Sequence, residues 1–112
     1  MTIFGYYAVL ASLVAGGLAA TPALAQTSKG DRELGQYLSS ECVTCHQLSG
    51  KQSEGVPAIV GWPEDQFVAV MRAYKNRERE NALMRTIAGR LSQSDIEALA
   101  AYFGSLPKPA AP

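Results

Sequence analysis

The chain has a single histidine and only two cysteines, and no residue before Lys29 is charged. Each shortage removes possibilities. Two cysteines three positions apart cannot supply the disulfide framework that usually braces a small exported domain. They and the lone histidine give three candidate ligands, one fewer than a structural zinc site takes. Net charge is zero, with ten basic and ten acidic residues. That balance points away from a nucleic-acid partner and from a strongly acidic substrate. No stretch alternates apolar and polar residues as a strand would, and no segment repeats. The apolar run Ala8–Ala20, broken only by Ser12, is too short to span a bilayer comfortably.

That run has the length of a signal-peptide core. Ala23-Leu24-Ala25 follows as a small-residue cleavage site, so residues 1–25 read as an export signal and 26–112 as one mature domain. The expected location is the bacterial periplasm. The leading segment lacks the usual Lys or Arg, and an uncleaved membrane anchor is the alternative reading. A mature chain this short buries a modest core and needs an additional brace.

The remainder reads as all-α, with three to five helices. A first helix should start near Asp31, with Leu34, Tyr37 and Leu38 on its apolar face, and run up to the cysteines. Residues 47–63 hold Gly50, Gly55, Pro57, Gly61 and Pro63 and are irregular, although Val56–Val60 is apolar enough to pack. A second helix should open at Pro63-Glu64-Asp65 and bury Phe67, Val70, Met71 and Tyr74. Lys75–Glu80 is a charged connection. A short helix is expected within Ala82–Leu91, facing inward through Leu83, Ile87 and Leu91. Ser92 and Asp95 form a capping box for a last helix that buries Ile96, Leu99, Ala100 and Phe103 and stops at Gly104 and Pro107. Lys108–Pro112 should fray.

The chemistry concentrates in Cys42-Val43-Thr44-Cys45-His46. Positions i, i+3 and i+4 of a helical turn share a face. Two thiols there reach the two vinyl groups on one edge of a haem, and the next histidine offers its imidazole to the iron. This pattern is the attachment signal for one covalent haem c, the brace the chain otherwise lacks. A thioredoxin-like redox pair would sit near a βαβ unit, which is absent. A disulfide would close too small a loop to stabilise much.

With no second histidine, the other axial ligand must be of another type, and methionine is the common partner. Met1 departs with the signal, leaving Met71 and Met84. Met71 lies on the apolar stripe of the second helix and reads as core. Met84 follows an irregular charged stretch and is the favoured ligand. Pro57 is a candidate acceptor for the histidine's other nitrogen, and Trp62 and Tyr74 are candidates to pack near the haem. Residues 71–90 carry six basic side chains against two acids, a net +4. This is either a docking surface for an acidic redox partner or a solvated face.

Leu38–His46, Gly55-Val56-Pro57, Met84 and Leu91–Phe103 together resemble a class I c-type cytochrome over nearly the whole mature chain. Tyr74–Met84 is similar to the Y-x-x-G-x-R-x-N-P-x-M stretch of short periplasmic cytochromes, whose ligand falls on Met84. Here Arg77 stands where Gly is common and Ala82 where Pro is common, so the loop is expected to run differently. More narrowly, Glu41–His46, Ile59–Trp62 and Met84–Leu91 look like the cytochrome subunit of flavocytochrome c sulfide dehydrogenase. That resemblance implies an electron carrier, not an enzyme by itself, that accepts electrons from a flavin subunit oxidising sulfide. Rival readings are a haem sensor or enzyme with an open sixth coordination site, and a membrane-anchored donor to an oxidase.

Overall fold

The computed structural model describes residues 16–17 and 30–110. The expected signal peptide, apart from residues 16–17, lies outside the described residues, as do most of the polar lead-in and the last two residues. Four α-helices follow in order, α1 (Arg32–Leu38), α2 (Glu64–Lys75), α3 (Ala82–Gly89) and α4 (Gln93–Ser105), and no strand forms among the described residues. Helix α4 is the centre: α1 crosses it, α2 packs beside it, and α3 packs on α2. Among the described residues no helix is long and apolar enough to cross a membrane.

Local chemistry sets the starts of these helices. The Asp31 carboxylate accepts from the N–H groups of Glu33 and Leu34 and caps α1. Ser92 and Asp95 close the expected capping box on α4, each side chain accepting from the other residue's backbone N–H. Helix α4 then buries Ile96, Leu99, Ala100 and Phe103, with Phe103 stacked on Phe67 of α2 at 5.8 Å between ring centres. Met71 is 5% exposed and belongs to the same cluster, as its spacing suggested.

Helix α1 departs from the expected pattern. Its inward face is carried by Gly35 and not by the apolar stripe: Gly35 is buried, Leu34 is partly exposed and Tyr37 is 79% exposed. A Cβ at Gly35 would collide with the Ala98 carbonyl, so the two helix backbones cross at a distance only glycine permits. Leu38 alone of the three stripe residues packs against the core. The α-helix also ends earlier than expected. It tightens at Ser39–Glu41 into a 3-10 turn, which delivers the chain to the cysteines.

Two other expectations change. Helix α4 passes through Gly104 to Ser105 before stopping. The tail does not fray at Lys108, because Lys108 lies against Gly61 and Pro109 against Gly50.

Candidate haem site

The segment that carries the cysteines forms one helical turn. Cys45 and His46 both donate backbone N–H groups to the Cys42 carbonyl, at 3.2 and 2.8 Å, and Val43 donates to Ser39 at 3.0 Å. Cys42 is half-buried, Cys45 is exposed, and the two sulfurs are not bonded to each other. Burial, helped by the charge of Glu41, pushes the Cys42 thiol up to about 11. A thioredoxin-like cysteine needs the opposite shift, so the redox-pair reading loses its chemistry. Among the described residues, no three His, Cys, Asp or Glu side chains group as a metal-binding set.

His46 is oriented by one strong contact. Its Nδ1 lies 2.7 Å from the Pro57 carbonyl oxygen. A carbonyl only accepts, so Nδ1 carries a proton, and in the neutral ring Nε2 is then the nitrogen with the lone pair. Nε2 has no partner among the described residues. The acceptor is held by the irregular segment expected to pack: Ile59 and Val60, just beyond Pro57, are 8% and 2% exposed.

These residues open onto a mostly apolar cavity of about 1010 Å³, its mouth included. Cys42, Cys45, His46 and Pro57 contribute to its wall, as do Ile59, Trp62, Phe67 and Val70. Tyr74, Arg79, Asn81, Leu83, Met84 and Ile87 complete it from the α2–α3 side. Met71 reaches it as well, so both candidate methionines border the same space. They differ in setting: Met71 is sealed in the core, whereas Met84 is half-buried in the first turn of α3. The cavity suits a flat apolar macrocycle on two counts: apolar walls, and two thiols beside an imidazole with a ring nitrogen left unbonded.

The loop leading to Met84 departs at Arg77, as its sequence suggested, and is fixed by a cap at Asn81. Helix α2 ends with Asn76 as cap. Arg77 and Glu78 then donate N–H groups to the Tyr74 and Ala73 carbonyls, at 3.0 and 2.8 Å. That pair of bonds is a Schellman closure, which requires a left-handed residue next after the cap. Arg77 is that residue, at φ 63°. The glycine common at this position in similar sequences thus has a physical reason, and Arg77 adopts the same turn at a cost. Asn81 caps α3 through its side chain, which accepts from the Met84 N–H at 3.0 Å. An Asn directly before an apolar helical run was the available signal. Of the expected inward residues of α3, Leu83 sits instead on the cavity rim and is 59% exposed.

Most of the cationic cluster has internal partners. Lys75 donates to the Gly89 and Leu91 carbonyls. Arg90 pairs with Glu41 at 3.3 Å, and Arg85 with Glu80 at 3.0 Å. Arg79 lies over the Tyr74 ring, 5.2 Å from its centre. Only Arg72 and Arg77 have side chains without a partner among the described residues.

No protein-family model matches the chain. Over 80 residues it is 31% identical to cytochrome c-554(548) of Halomonas halodenitrificans, a match covering 68% of this chain and 96% of that protein. It is 30% identical over 98 residues to cytochrome c-552 of Acidithiobacillus ferridurans, covering 82% of this chain and 43% of the relative. It is 31% identical over 70 residues to a thiosulfate dehydrogenase electron acceptor of Thiomonas intermedia, covering 61% of this chain and 32% of the relative. The chain thus spans less than half the length of those last two proteins. Together with the helical fold, these matches place the chain in the class I c-type cytochromes. It carries covalently bound haem c.

Proposed function

We propose that this cytochrome is an exported, periplasmic one-electron carrier whose haem is joined to Cys42 and Cys45 and ligated by His46 and Met84. The observation that carries this reading is the shared cavity: the two thiols, the oriented imidazole and the Met84 thioether all border it. The bound haem supplies the ferrous–ferric couple. The protein's own residues do the rest. Pro57 holds the Nδ1 proton of His46 and so keeps Nε2 available as a ligand. Ile59, Phe67, Val70 and Met71 keep water from the cavity, which favours the less charged state of whatever it encloses. Met84 offers a polarisable neutral sulfur, a donor that raises the potential relative to a second imidazole.

The test of ligation is substitution. Met84→Ala should let the reduced protein bind carbon monoxide and should lower the reduction potential. Met71→Ala should mainly destabilise. If Met71→Ala instead opens the iron, the ligand is Met71.

For the electron source, we propose a dehydrogenase of reduced sulfur compounds, specifically a flavin subunit that oxidises sulfide. Its support is the similarity of Glu41–His46, Ile59–Trp62 and Met84–Leu91 to the cytochrome of that complex. A relative named for accepting electrons from thiosulfate dehydrogenase supports a sulfur-linked role more broadly. Mixing the oxidised cytochrome with the flavin subunit and sulfide should reduce it. Reduction by thiosulfate dehydrogenase alone would reassign the partner.

A further inference from the structure

We propose that Arg85 is a positioning residue for Met84, holding the loop before α3 in the conformation that presents the thioether to the cavity. The inference rests on the reading of Met84 as the second axial ligand. Its basis is the set of contacts made by the Arg85 side chain. Nε donates to the Arg79 carbonyl at 2.6 Å. One terminal nitrogen donates to the Arg77 carbonyl at 2.9 Å and to the Glu80 carboxylate at 3.0 Å. A single guanidinium therefore gathers three acceptors of the loop, on residues 77, 79 and 80, and does so with only 19% of the side chain exposed.

This loop needs such a clamp. Arg77 is in the left-handed region, where a side chain is disfavoured, and its neighbours up to Asn81 are exposed. Besides the Arg85 contacts, only the Schellman bonds, the Asn81 cap and the Arg79 contact with Tyr74 oppose relaxation of the turn. Any relaxation is passed directly to Met84, because Asn81 caps the Met84 N–H and its carbonyl accepts the Arg85 N–H at 3.0 Å. Arg85 thus starts in the first turns of α3, reaches back over the loop, and fixes the helix start that carries its own neighbour. Lysine reproduces this only in part, since it offers one nitrogen where the guanidinium places two, Nε and a terminal nitrogen, against different acceptors.

The experiment uses the holoprotein in its reduced state, with carbon monoxide as the probe. The variants are Arg85→Leu and Arg85→Lys, with Arg72→Leu as a control on the solvent side of α2. Arg85→Leu should bind carbon monoxide at least tenfold faster than the parent protein and show a lower reduction potential, with helix content and covalent haem retained. Arg85→Lys should lie between the two, and Arg72→Leu should match the parent. Adding Arg77→Gly to Arg85→Leu should recover much of the exclusion, because glycine removes the strain that the clamp opposes. If the parent excludes carbon monoxide and Arg85→Leu does too, at unchanged potential, Arg85 has no positioning role and the Met84 assignment survives. If the parent itself binds carbon monoxide rapidly, the Met84 assignment fails first. Should Arg85→Leu not fold, a lysine variant identical to the parent in binding rate and potential overturns the proposal.

Discussion

The two walls of the cavity are built by different physics. On the histidine side, a short covalent motif follows a helix that crosses α4 backbone to backbone, and its one orienting bond runs to a segment anchored by buried Ile59 and Val60. On the methionine side, the loop 76–81 is exposed and is held by polar tethers: the Asn81 cap, the Arg85 contacts and a Schellman turn with an arginine at its left-handed position. The first wall is tied to the core through Ile59 and Val60. The second can loosen while the core stays intact, so ligand loss should begin at methionine and not at histidine.

The sharpest way to break the comparison is at the helix crossing. Gly35→Val should cost more than about 3 kcal/mol, because a branched side chain must push α1 off the Ala98 carbonyl. Urea unfolding of the holoprotein measures it, and both walls should fail together. Asn81→Ala should cost about 1 kcal/mol, yet its effect should be selective: faster carbon monoxide binding with the histidine side undisturbed. Arg77→Gly should act in the opposite direction, stabilising by about 0.5–1 kcal/mol as the left-handed strain is relieved. A destabilised Arg77→Gly protein would mean that its side chain has a role the structure does not display.

The smallest effect concerns acid. Backbone and side-chain hydrogen bonds from Ser92, with a lesser contribution from the charge of Lys75, hold the Asp95 carboxyl below its ordinary 3.8. A lowered folded-state value means the cap contributes fully above about pH 3.8 and fades as pH falls through that lowered value. Asp95→Asn should flatten this limb of the stability–pH curve while leaving both walls of the cavity alone. A curve unchanged by the substitution would show that the exposed cap carries no proton-linked stability.

How much of this was legible in advance depends on the range of the interaction. Helices α2 and α4 were readable because their apolar spacing and caps are local, and Ser92–Asp95 closes as the spacing required. The Pro57 acceptor was also anticipated. Helix α1 was misread for an instructive reason. Leu34 and Tyr37 look like a core stripe, but burial there is decided by how closely α4 approaches, and that approach selects Gly35. Apolar periodicity has no term for a glycine that is buried because it has no side chain. Arg85 was invisible as well. Within a run of charges it looks like any solvated arginine, and its donors find carbonyls six and eight residues back only once the loop has turned.

By itself, then, the order of residues determined the haem motif, the all-α class and the lone histidine, because each follows from residue type and near-neighbour spacing. Only the tertiary structure decided which face of α1 is buried, that Met71 and Met84 border the same cavity, and that most of the cationic cluster finds partners within the chain. Those outcomes depend on contacts between segments far apart in the chain, where backbone proximity and open hydrogen-bond acceptors, not local pattern, select the partner.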